Sequence, residues 1–154
     1  MSGPANTLAL FLALALAPSA RAATQGITGQ WLSQDGKGVV TIGPCAGKLC
    51  GRITWLRQPL DRDGKPKHDI HNAQESLQSR PICGLPILWN FTQDSPDTWT
   101  GGEIYDPEKG ETYHCNMHLE PDGTLHVRGY IGISLLGRTA VWTRPPQALP
   151  ACHG

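Results

Sequence analysis

The stretch from Trp99 to Arg144, WTGGEIYDPEKGETYHCNMHLEPDGTLHVRGYIGISLLGRTAVWTR, leaves few folds open, because it alternates strand patterns with tight turns and carries almost nothing of helical period. Asp106-Pro107-Glu108-Lys109-Gly110 and Glu120-Pro121-Asp122-Gly123 are turn sequences: Pro presets φ at the second turn position, and Gly accepts the positive φ that follows. Between them Tyr113, Cys115, Met117 and Leu119 share one face, while Thr112, His114, Asn116 and His118 share the other. Leu125, Val127, Gly129 and Ile131 alternate in the same way with His126, Arg128 and Tyr130. A hairpin through Pro121-Asp122 sets Leu119 opposite Leu125 and His118 opposite His126, so the dry faces meet in phase. Upstream, a strict count puts Trp99 and Ile104 on opposite faces; a bulge at Gly101-Gly102 would bring both to the core and leave Glu103 outside.

Earlier strand patterns run over Ile27–Leu32, Val39–Ile42, Gly51–Leu56 and Pro86–Phe91, and the last over Gly137–Thr143. Ile53 and Trp55 fall on one face of the third, and Ile87, Trp89 and Phe91 on one face of the fourth. Only Arg57–Pro81 breaks the rhythm. Asn72 and Glu75 form a capping-box pattern there, which predicts a short helix over Ala73–Ser79. A connection of this length in a compact domain is a lid, a binding loop or a mobile segment. With eighteen Gly and thirteen Pro favouring turns over helices, the expectation is all-β: an antiparallel up-and-down β-barrel of about eight strands. Closure removes the edges that so long a meander would otherwise expose.

Leu8–Ala17 is an apolar run too short to span a bilayer, and Ala20-Arg21-Ala22 follows it, so residues 1–22 read as a secretory signal peptide. Residues 23–146 then form a single barrel domain, and 147–154 a flexible tail. Export implies a periplasmic or secreted protein with no membrane span after cleavage. It also makes disulfides the natural use of five cysteines. Cys45 and Cys50 bracket a small loop and are the first expected pair. Cys83 with Cys115 is the second, the alternative being that Cys115 is a buried thiol; Cys152 is expected free. Thirteen basic and thirteen acidic residues give no excess of positive charge to meet phosphates, so nucleic acid is not an expected partner.

Gly29-x-Trp31 on the first strand, with Arg138 or Arg144 late in the last, resembles the signature of lipocalins and related calycin barrels. There the Trp closes one end of the barrel and an Arg packs across it. More specifically, GQW at Gly29, LCGRI at Leu49, RPICGL at Arg80, WTGGEIYDPEKGETY at Trp99, GTLHVRGYIG at Gly123 and GRTAVWTR at Gly137 resemble a bacterial exported family of unknown function, DUF2147. The resemblance implies a lipocalin-like barrel outside the cytoplasm and brings no catalytic residues with it.

Chemistry-bearing patterns are sparse. No nucleophile elbow, HExxH or phosphate loop occurs, so no enzyme, metal or cofactor is expected. Arg128 and Tyr130 have the spacing of a carboxylate clamp, but they share a face with His114, Asn116, His118 and His126, which reads as a solvated outer surface. Trp31, Trp55, Trp89, Trp99 and Trp142 could line an apolar cup or simply fill the core. Arg52, Arg138 and Arg144 are the candidates for an inward cation near the mouth. The expected function is therefore a small exported binding protein, with Arg52, Trp55, Trp89, Trp99 and Arg138 meeting an apolar or amphipathic ligand under the Arg57–Pro81 connection. The alternative is an envelope protein–protein module or inhibitor with a fully packed barrel.

Overall fold

The computed structural model describes residues 26–152, together with Gly3. Apart from Gly3, the leader expected over residues 1–22 lies outside them. Eight strands follow one another in a single antiparallel sheet whose spatial order is the chain order: β1 (Gly29–Leu32), β2 (Gly38–Cys45), β3 (Lys48–Leu56), β4 (Pro86–Ser95), β5 (Thr98–Asp106), β6 (Glu111–Leu119), β7 (Leu125–Tyr130) and β8 (Arg138–Trp142). The sheet rolls up until Leu32 of β1 meets Thr143 just past β8, where the two backbones exchange N–H···O bonds of 2.8 and 3.1 Å. One bridge rather than a full ladder makes the barrel nearly closed.

The hairpin registers follow the side-chain pattern. Leu119 stands opposite Leu125 and His118 opposite His126, and Cys115, Met117, Leu125 and Val127 are buried. The bulge expected at Gly101-Gly102 is present. Trp99 pairs with Met117 and Gly102 with Cys115, so β5 carries one extra residue, and Gly101 takes it up at φ 69°. Gly102 has a second role: a Cβ there would run into the Phe91 ring, so the ring lies flat on the β5 backbone.

Two bulges that period-two counting does not register change other faces. Asn90 sits at φ 68°, and β3 advances two residues, Leu49 to Gly51, while β4 goes from Phe91 to Leu88. Leu88 and Phe91 consequently share the interior, and Trp89 turns to the outer face with Glu103, its partner on β5. The expected grouping of Ile87, Trp89 and Phe91 is thus corrected. In β3 a register shift pairs Val40 with Ile53 and Val39 with Trp55. Trp55 therefore leaves the Ile53 face and stands half-buried.

The interior is packed with the buried side chains of Trp31, Val40, Ile42, Ile53, Leu88, Phe91, Trp99, Met117, Leu125, Val127 and Trp142. Cys115 has no exposed surface there, and desolvation of the thiolate pushes its pKa up to about 12. Its thiol is a packing group. The expected Cys83–Cys115 bond is accordingly not made: Cys83 bonds Cys152, whose Cα lies 5.9 Å away, and Cys115 is free. Cys45 bonds Cys50 across a two-residue turn in which Ala46 and Gly47 both take positive φ (47° and 77°), as a primed hairpin turn requires.

The C-terminal segment also departs from expectation. Leu149 and the Gln30 side chain exchange two hydrogen bonds (2.8 and 2.9 Å), and the Cys152 N–H donates to Thr54 O at 2.7 Å. With its disulfide, the tail is a strap from β1 across β3 to the long connection.

Candidate functional site in the barrel wall

The long connection between β3 and β4 does not cap the interior. Strand parity places Leu88, Gly102, Ile104, Tyr113 and Cys115 on the inner face and Trp89, Glu103, Tyr105 and Thr112 on the outer one. The connection folds over that outer face. Its backbone comes so close to the β5–β6 turn that a Cβ at Gly110 would strike the His71 carbonyl. The predicted helix shrinks to a single 3-10 turn at Glu75–Leu77 with no side-chain cap. Asn72 Oδ1 still accepts the Gln74 N–H, but the turn begins only after Gln74, and Asn72 Nδ2 is held in a buried network.

Asp69 is the hub of that network. It has no exposed surface, and its carboxylate accepts from Tyr105 Oη (2.6 Å), Asn72 Nδ2 (2.9 Å) and Arg80 Nη2 (2.7 Å). Asn72 Nδ2 also reaches Tyr105 Oη at 3.0 Å, while its Oδ1 accepts from the Gln74 N–H at 2.9 Å. Three donors converge on a carboxyl group from which water is excluded, so its burial is compensated by hydrogen bonds. Burial, and then the bond to Asp69, raise the Tyr105 pKa above its ordinary value, so the phenol remains a donor.

Between this network and the strands lies a cleft of about 370 Å³, lined among others by Gln74, Leu77, Arg80, Trp89 and Thr112. Trp89 lays its indole along the wall and donates its N–H to Glu103 Oε2 at 2.7 Å. Arg80 is held at one end through Asp69, with its side chain about 38% exposed. Among the described residues, its Nε is the buried side-chain polar atom without a hydrogen-bond partner. A buried N–H of this kind costs free energy until something accepts from it.

Of the residues expected to meet a ligand, only Trp89 lines this cleft. Trp99 is buried in the barrel interior, and Trp55 is half-buried elsewhere. Arg52 is exposed because it alternates with the inward Gly51 and Ile53. Arg138 has the inward parity of Ala140 and Trp142 but stands exposed at the barrel rim, so neither is a buried inward cation. Asp69, Asn72, Arg80 and Tyr105 escape sequence reading because three lie in a segment without period and the fourth sits on the face counted as wet. The useful signal was a 25-residue polar connection that also contains Ile70 and Leu77.

The opposite end of the barrel is shut. Arg144 stacks on Trp31 with Cζ 3.8 Å from the ring centroid, and donates to Gln30 O (3.1 Å) and Gly26 O (2.5 Å). Trp31 Nε1 donates to Ile27 O at 2.7 Å. Gly29, at φ 107°, leaves room for the guanidinium, since a Cβ there would lie 2.9 Å from Arg144 Nη1.

An eight-stranded meander barrel with a Trp–Arg plug at one end defines a lipocalin-like protein. A solved structure has the same fold: protein HP1028 from the human pathogen Helicobacter pylori, described as belonging to the lipocalin family. It superposes with a TM-score of 0.66 at 22% identity, over 77% of this chain and 82% of that one. At that identity the likeness concerns fold alone. The model of DUF2147, described as an uncharacterized protein conserved in bacteria, matches residues 29–144, and the chain belongs to that family. No curated protein matches it.

Proposed function

We propose that this protein is an exported binding protein that holds a small amphipathic molecule in the wall cleft, rather than in the filled barrel interior. The observation that carries this reading is Arg80, which lines the cleft with a partly exposed guanidinium fixed by a fully buried carboxylate and with its Nε unpaired. Arginine presents its donors as a planar fork, which suits a carboxylate or amide oxygen. Gln74 adds a polar group, while Trp89, Leu77 and Pro86 supply an apolar wall. A few convergent polar groups beside an apolar surface are usual for ligand sites, and the volume is at the small end of their range. The ligand class is thus a medium-length acyl chain or small ring system with a carbonyl or carboxylate head. Two disulfides are compatible with an oxidising compartment.

Decanoate is a suitable probe. Titration should change the tryptophan emission saturably, with the change lost in Trp89→Phe while calorimetry still registers binding. Arg80→Lys keeps the charge but not the fork, and should weaken binding about tenfold, the value of one charge-assisted hydrogen bond. Absence of any saturable signal, with no small molecule retained in native mass spectrometry of periplasmically expressed protein, would overturn the proposal.

A further inference from the structure

Strands alternate in direction, so the β7–β8 connection lies at the barrel end that also carries the β1–β2, β3–β4 and β5–β6 connections. Its sequence is Ile131-Gly-Ile-Ser-Leu-Leu136-Gly. Four large aliphatic side chains project from it into solvent: Ile131 is 71% exposed, Ile133 59%, Leu135 81% and Leu136 76%. The backbone beneath them is pinned. Arg128, on the outer face of β7, donates to Ser134 O (2.8 Å), Leu135 O (3.1 Å) and Thr139 Oγ1 (2.9 Å). A 3-10 turn closes over Ser134–Leu136, and Gly137 packs so close to β7 that a Cβ would lie 2.6 Å from Gly129 O. An arginine and a glycine are used to hold an apolar fingertip outward, where collapse onto the barrel would be expected to bury it.

Two features say what the fingertip meets. From Leu125 to Arg144 there is no Asp or Glu, whereas Arg128 and Arg138 stand at the two feet of the loop with Tyr130 beside them. The acid nearest in the pairing, Glu111 on β6, accepts the Tyr113 hydroxyl. Aliphatic side chains beyond two arginines and a tyrosine match the layering of an anionic bilayer surface: acyl region, interface, phosphates. The second feature is size. Four such side chains expose on the order of 500 Å² of apolar surface, in the upper part of the range for the largest patch on a monomer, where such patches are often functional. All four sit on one short loop, a shape suited to shallow insertion rather than to a flat protein interface.

We infer that the Ile131–Leu136 loop is a membrane-docking tip that inserts Ile131, Ile133, Leu135 and Leu136 into the interface of a bilayer containing anionic lipid, with Arg128 and Arg138 at the headgroup level. This rests on the loop alone and stands whether or not the wall cleft binds decanoate.

Vesicle co-sedimentation of the protein purified after export tests it. With phosphatidylethanolamine:phosphatidylglycerol vesicles of about 3:1, the protein should pellet, less so with phosphatidylcholine vesicles or at high salt. Leu135→Ser/Leu136→Ser should weaken binding at least tenfold, and Arg138→Gln about fivefold, each with an unchanged near-ultraviolet circular dichroism spectrum because these side chains are exposed. No pelleting of the wild type on anionic vesicles, or equal pelleting of the double variant, overturns the inference. So does a concentration-dependent dimer in sedimentation velocity that the double variant abolishes while vesicles are ignored, which would assign the tip to self-association.

Discussion

Arg144 and Arg80 each lean a guanidinium against buried structure, one at the plugged end of the barrel and one at the wall cleft. Arg144 lies flat on Trp31 and gives its donors to the Gln30 and Gly26 carbonyls. Burial pulls its pKa below the ordinary arginine value, yet the ring face and two carbonyls replace the lost water. Arg80 gives one nitrogen to Asp69 and is left with a buried Nε that bonds nothing. One arginine closes an end of the barrel; the other keeps an unpaired donor. The difference lies in the surroundings: backbone carbonyls fixed by β1 in the first case, and in the second a polar network built by a connection that leaves a cleft beside it.

The largest effect that separates the two should come from Asp69→Ala. It strips the partner from Arg80, leaves the Tyr105 hydroxyl without its acceptor and takes one of two acceptors from Asn72 Nδ2. Breaking a fully buried pair costs 3–5 kcal/mol, and the partial exposure of Arg80 moves the expectation to the low end, about 3 kcal/mol. Urea unfolding would measure it. Arg144→Ala should cost less, about 2 kcal/mol, for the desolvated cation–π contact and two carbonyls left unpaired. The two losses should add to within about 0.5 kcal/mol in the double variant, because the sites share no partner; strong non-additivity would mean that the plug and the wall cleft are one cooperative unit.

A smaller, pH-dependent effect comes from two tyrosines, one of them in the cleft. Tyr105 has its folded pKa raised, so above the unfolded value near 10 the unfolded chain gives up its proton first. Stability from this group is complete below that pH and is lost as pH rises through the folded pKa. Tyr113, raised to about 12 chiefly by its bond to Glu111, acts with the same sign. Tyr105→Phe should therefore be less stable at neutral pH, for want of the bond to Asp69, yet lose stability more slowly above pH ~10. Parallel pH profiles for wild type and variant would remove Tyr105 from the network's energetics.

The barrel was legible in the sequence where side chains alternate on a two-sided sheet. Tyr113 to Leu119 and Leu125 to Val127 set their own register, and two adjacent glycines after Trp99 marked the bulge that rescues its phase. The bulge at Asn90 has no such mark, because asparagine adopts positive φ without announcing it, and period-two counting therefore puts Trp89 on the wrong face. The site was less legible than the fold. Asp69 looks like any loop carboxylate until Tyr105, 36 residues on, closes over it. Cys152 looks like a loose end until the tail is traced along Gln30 and Thr54 to Cys83.

By itself, then, the chain's pattern of apolar residues and turn formers determined an antiparallel meander and which cysteines bracket a hairpin, because those depend on neighbours a few residues apart. Only the tertiary structure decided that the long connection lies on the outside of the wall, that Cys83 bonds Cys152, and that Arg80 rather than Arg52 or Arg138 is the cation at the cleft. Those outcomes depend on which surfaces remain uncovered once the sheet has rolled, and that is a property of the closed barrel, absent from any local stretch of the chain.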